Sequence, residues 1–102
     1  MTASQFRSMT DQQKREYREF CAARGNYAAL GEISDFEKYL DKPVKVTSGR
    51  KAPVGTVGVV FWVGMVNYSK YKNWWSWQTR VGIRTDDGTT HFTDEKNVEV
   101  IQ

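Results

Sequence analysis

At Pro43 the spacing of apolar residues changes from helical to alternating, and this switch restricts the chain to a mixed architecture. Upstream, Thr10-Asp11-Gln12-Gln13 reads as an N-cap with Gln at the third helical position. The helix it opens runs through Tyr17, Phe20 and Cys21 to a stop at Arg24-Gly25. Ser34-Asp35-Phe36-Glu37 reads as a second capping box, starting a short helix with Ile33, Phe36, Tyr39 and Leu40 on one face before Pro43 ends it. Neither helix is long enough to stand alone in water. Downstream, Val44 and Val46 flank Lys45, a Gly- and Pro-bearing loop "TSGRKAPVG" follows, and "TVGVVFWVGMV" reads as a strand apolar on both faces. Gly55, Gly58 and Gly64 are its expected bend points. Three more strands, "TRVGIRT", "TTHFT" and "NVEVI", complete the pattern, the first two joined by the hairpin turn Asp86-Asp87-Gly88. The expected class is α+β: a helical segment over residues 1–42 packed on a small five-stranded β-barrel over 43–102.

Strand parity divides the aromatic residues between two faces. Extending "WSWQTRVGIR" backward groups Trp75, Trp77, Thr79, Val81 and Ile83 on one face, with Trp74, Arg80, Gly82 and Arg84 on the other. Along the preceding strand, Val57, Val59, Phe61 and Val63 point one way and Val60 and Trp62 the other. A barrel of this size needs large side chains inside it, so Trp75, Trp77 and Phe61 are expected in the core.

The spacing Val44-x-Val46-x-x-Gly49, Pro53-x-Gly55-Thr56-x-Gly58-x-Val60, Asp87-Gly88 and Asn97-Val98-Glu99-Val100 resembles the KOW-type SH3-like β-barrel. The resemblance covers about residues 43–102. Two departures are Lys42-Pro43, where a Gly-Asp often precedes the first strand, and residues 65–78, which lengthen the connection between the second and third strands. The resemblance implies the barrel fold and a binding role toward RNA, DNA or protein, since members occur in ribosomal proteins, transcription elongation factors and some phage DNA-binding proteins. It bears on fold more than on partner.

Charge is distributed unevenly along the chain, although the formal net charge is only +3. Residues 1–43 carry seven Lys or Arg and seven acids, residues 44–84 carry seven Lys or Arg and no acid, and from residue 85 one Lys stands against five acids. A span free of carboxylates keeps a positive field that nearby acids would cancel within the Debye length of about 8 Å. In that span "NYSKYKNWWSWQTR" interleaves rings with cations. Exposed rings stack on bases and Lys or Arg neutralise phosphates, so the pattern points to nucleic acid, DNA or RNA, bound with little sequence specificity. The residues expected to carry this are Arg50, Lys51, Lys70, Lys72, Arg80 and Arg84 toward phosphate, and Tyr68, Tyr71 and Trp74 toward bases. The alternative is a protein-interaction module taking an acidic or host protein through the same rings, since Tyr, Trp and Arg are also enriched at protein interfaces. Oligomeric state is left open.

Other classes find little footing in the 102 residues. The single histidine, His91, has no Ser, Cys or carboxylate placed beside it by the sequence, so no enzyme is expected. Asp86, Asp87, Asp94 and Glu95 lack the alternation of a calcium loop, and the glycines spell neither a P-loop nor a dinucleotide fingerprint, so no metal or cofactor is expected. The lone Cys21 and the lack of an apolar run of about 20 residues point to a cytoplasmic protein with no membrane contact.

Overall fold

The computed structural model describes residues 1–67 and 77–101. The chain divides into two compact units, Met1–Lys38 and Tyr39–Gln102.

The first unit is helical. Helix α1 spans Ala3–Ser8, α2 Asp11–Ala23 and α3 Tyr27–Tyr39, whose last residue belongs to the second unit. At Thr10 the expected capping box forms: the Thr10 hydroxyl accepts from the Gln13 N–H at 3.1 Å, and the Gln13 side chain accepts from the Thr10 N–H at 2.8 Å. An identical box at Thr2 and Gln5 opens α1, which sequence reasoning did not anticipate. The Ser34 box does not start a helix. Asn26 starts α3 eight residues earlier, its side-chain oxygen accepting from the Ala29 N–H at 3.2 Å, and the helix formers Ala28, Ala29 and Leu30 carry the helix through Ser34. The face expected on this helix is correct in composition: Ile33, Phe36, Tyr39 and Leu40 are all buried. Phe6 of α1 stacks on Phe36 with centroids 5.4 Å apart. Of the α2 stripe, Cys21 is buried as a free thiol, whereas Phe20 is exposed beneath the Arg24 guanidinium.

The second unit is a five-stranded antiparallel sheet of β1 Pro43–Val46, β2 Val57–Asn67, β3 Trp77–Arg84, β4 Thr90–Asp94 and β5 Val98–Val100. The strand order is β4-β3-β2-β1-β5, so four strands meander and the fifth returns beside the first through a 3-10 turn at Glu95–Asn97. The core face carries Val44, Val46, Val60, Val63, Val81, Ile83 and Thr93, each buried. Such aliphatic side chains contribute about 1.5–3 kcal/mol apiece when fully buried.

One irregularity decides which way β2 faces. Val60 pairs with Ile83 and Trp62 with Gly82, so Phe61 is an extra residue with no partner on β3. This bulge reverses the alternation beyond it. Val60 and Val63 therefore share the buried face, while Val57, Val59 and Trp62 are exposed. The expected grouping of Val63 with Val57 and Val59 is overturned, and the register of β2 shifts at Phe61.

Strand pairing also explains Trp77. Strand β1 pairs with β2 only at Val57–Val59, and β4 with β3 only at Arg80–Arg84, so the stretch from Met65 to Asn67 and from Trp77 to Thr79 is a two-stranded ribbon. Trp77 shares parity with Val81 and Ile83 as expected, yet no core reaches it: it is 47 % exposed, and Met65 is similarly exposed. Its expected place inside is incorrect. Trp75, also expected in the core, lies outside the described residues. Among the described residues, no helix is long and apolar enough to cross a membrane.

Candidate functional site

The outer face of β2, β3 and β4 is built over two glycines. Gly82 is paired with Trp62 on one side and with Phe92 on the other. A β-carbon at Gly82 would come within 2.9 Å of Phe92 Cε1 and 3.0 Å of Phe61 Cζ, so both rings lean across its backbone. Phe61 meets Phe92 edge to face, with centroids 5.8 Å apart at 74°, and Trp62 meets Phe92 at 5.7 Å and 71°. In this geometry the positive edge of one ring faces the negative face of the next. The Trp62 indole extends over Gly64, where a β-carbon would approach Cη2 to 2.6 Å. Rings laid over glycine in this way cover backbone that has no side chain of its own. They remain accessible, Trp62 at 37 % and Phe92 at 42 %, and the exposed Val57 and Val59 continue the apolar surface along β2. Phe61 thus belongs to the outer face with Val57 and Val59, not to the core where its bulk was expected to place it.

Two arginines share this face. The Arg84 guanidinium stands 4.6 Å from the centroid of Phe61, within cation–π range. Arg80, four residues earlier and roughly 13 Å along the strand, has its Nε 3.7 Å from Asp94 Oδ1. That separation is an ion pair rather than a hydrogen bond, and both side chains are less than one-fifth exposed. Asp94 arrives there because β4 pairs with β3 in a register that sets it opposite Arg80. Glu99 of β5 is set opposite Lys45 of β1 in the same way. The basic span is free of acids along the chain but not in the sheet, because the acidic C-terminal strands pair back onto it. The expected acid-free field is corrected at these two places.

Arg50 and Lys51 stand exposed on the loop between β1 and β2. Its start is fastened by Asn97: the Thr47 N–H donates to the Asn97 backbone carbonyl at 2.7 Å, the Ser48 hydroxyl donates to Asn97 Oδ1 at 2.9 Å, and Asn97 Nδ2 donates to the buried Thr93 hydroxyl at 3.0 Å. Its end closes on the strand, with the Gly55 N–H donating to the Val46 carbonyl and the Val46 N–H to Thr56. The loop enters β2 at Val57, on the Arg84 side of the sheet. Strand β2 ends at Asn67, roughly 30 Å further along. Tyr68, Lys70, Tyr71, Lys72 and Trp74 lie outside the described residues. Of the expected residues that are described, Arg84 stands against the Phe61 ring, Arg80 beside an acid, and Arg50 and Lys51 on the loop between β1 and β2.

Phe61, Trp62 and Phe92 were not selected by sequence reasoning as a binding group. The available signal was glycine: Gly64 two residues after Trp62, and Gly82 on the polar parity of β3, are positions where a neighbouring ring has room to lie down.

At the β3–β4 turn, the Thr85 hydroxyl and the Thr89 N–H donate to the Asp87 carboxylate and hold its pKa at about 2, below the ordinary 3.8. His91 and Asp87 border an open depression with Thr56 and Val57. Among the described residues no group of three or more His, Cys, Asp or Glu gathers to hold a metal ion. Compared with protein-family models, curated proteins and solved structures, the chain gives no significant match.

Proposed function

We propose that the chain is a non-catalytic, cytoplasmic nucleic-acid-binding protein whose second unit is an SH3-like β-barrel of the KOW kind. The outer face of β2, β3 and β4 is its contact surface. One observation carries this reading: Phe61, Trp62 and Phe92 form an accessible ring cluster with the Arg84 guanidinium against it. Rings of this kind stack on bases of any sequence, and the adjacent cation meets phosphate. The strand order, with the fifth strand returned beside the first, supports the barrel. Arg50 and Lys51 add phosphate contacts from the loop entering β2, and Lys70 and Lys72, with Tyr68, Tyr71 and Trp74, extend the basic aromatic character of the sequence.

The test is fluorescence anisotropy of labelled DNA and RNA, single- and double-stranded, with the full chain over a salt series. Binding to at least one form, falling linearly in log affinity against log salt and weakened about tenfold or more by the double change Trp62→Ala, Phe92→Ala, supports the reading. Lack of binding to every form at about 50 mM salt overturns it. The second reading, a protein-interaction module, draws on Val57 and Val59, whose exposed aliphatic side chains adjoin the rings and suit an apolar interface more than a polynucleotide.

A further inference from the structure

Resting on the nucleic-acid reading above, we propose that the ligand is a single strand, held mainly by stacking of an unpaired base on the Trp62 indole beside Phe92, with phosphate neutralisation secondary.

The geometry of the rings selects against a duplex. In a double helix the faces of the bases are covered by their neighbours, and only edges and phosphates are offered outward. A side chain that wedges between paired bases must protrude from its surface. Here the indole is laid against the sheet over Gly64, with Phe92 standing nearly perpendicular beside it, so Trp62 is not raised as a wedge. A surface of this form meets the face of a base that is already unstacked. A single strand offers such faces without opening a duplex.

The charges point the same way. On the outer face the Arg80 guanidinium is offset by Asp94, and Lys45 stands opposite Glu99. Arg84 is the guanidinium directly against the rings. One phosphate contact on a single strand adds about 0.7 to the salt slope, whereas a stacked base changes affinity roughly 5- to 100-fold. On this face the rings outweigh the cation. Arg84, over Phe61, is placed to meet the phosphate beside a stacked base, and the carboxylate on the same face, Asp94, is countered by Arg80.

The experiment compares a labelled single-stranded 20-mer of mixed sequence, as DNA and as RNA, with the corresponding blunt duplexes, using the full chain and four variants. The expected results are at least tenfold tighter binding of a single strand than of its duplex; a 5- to 100-fold loss for Trp62→Leu with the salt slope unchanged; recovery of most affinity in Trp62→Phe, which keeps a flat ring; a similar loss for Phe92→Leu; and a slope lowered by about 0.7 for Arg84→Ala. Thermal melts confirm that each variant is folded, and the leucine–phenylalanine contrast at position 62 separates stacking from packing. A duplex bound as tightly as the single strand, or a folded Trp62→Leu that binds unchanged, overturns the single-strand inference and leaves the broader reading standing. No binding to any of the four probes overturns both.

Discussion

Trp62 and Gly64 are two residues apart on β2, and the indole of the first occupies the space that a β-carbon on the second would need. The ring is therefore held down by the absence of a side chain, and its height above the sheet depends on one hydrogen atom.

Replacing Gly64 with Ala should lift the indole from the sheet. The blocking atoms are the far end of a side chain, which can turn away, so the fold should survive within about 1 kcal/mol in a thermal or denaturant melt. Binding of a single-stranded probe should fall by about tenfold, as expected when a stacking platform is lost. Unchanged binding would show that the position of the indole is irrelevant to the ligand.

Asp94 sets how much positive charge the outer face presents. In Asp94→Asn the Arg80 guanidinium loses its counter-charge, and affinity for a nucleic-acid probe at low salt should rise. On a single strand the log–log salt slope should steepen by about 0.7. An unchanged slope would mean that Arg80 is out of reach of phosphate.

Gly49 and Asn97 should behave as a coupled pair. Gly49 has φ 94°, a conformation other residues adopt only under strain, and a β-carbon there would meet Asn97 Nδ2 at 2.6 Å. Gly49→Ala should cost about 1–3 kcal/mol. Asn97→Ala, which strips the partner from the buried Thr93 hydroxyl and from Ser48, should cost a similar 1–3 kcal/mol. Because both act on the same loop anchor, the double variant should lose less than the two separate losses combined in denaturant melts.

Asp87 gives the β3–β4 turn an acid limit. Its carboxylate has a lowered pKa in the folded chain, so the ionised form is favoured by folding. The associated stability is fully present above the ordinary value near 3.8 and is lost as pH falls through about 2. An NMR titration of the Asp87 side chain should give a midpoint near 2, and Thr85→Val, which removes the principal hydrogen-bond donor, should move that midpoint upward. A midpoint at the ordinary value in the unaltered chain would contradict the turn geometry.

Local signals were readable from the sequence where they depend on neighbours along the chain. The Thr10 box, the stop after Ala23, the alternation Val44-Lys45-Val46 and the Gly88 turn all form as their residues imply. Ser34 misled because the capping pattern also fits a helix interior, and Asn26 with two alanines already supplied an earlier start. The site was less legible because its parts come from pairing. Parity counted through Phe61 gives opposite answers with and without an unpaired residue there, and only β3 reveals which holds. The cationic span looked uninterrupted until β4 and β5 returned Asp94 and Glu99 to it. Trp77 has core parity, but the extent of its neighbours, not its own alternation, determines whether anything covers it.

The unpaired Phe61 makes β2 two half-strands running in opposite phase. Deleting Phe61 would leave Val60 opposite Ile83 and Trp62 opposite Gly82 in an unbroken ladder, so both halves would keep their inward and outward sides. Inserting or deleting one residue where the pairing is regular would instead turn everything beyond it inside out. Phe61 is therefore a spare link, one that could be lost without changing the phase of either half.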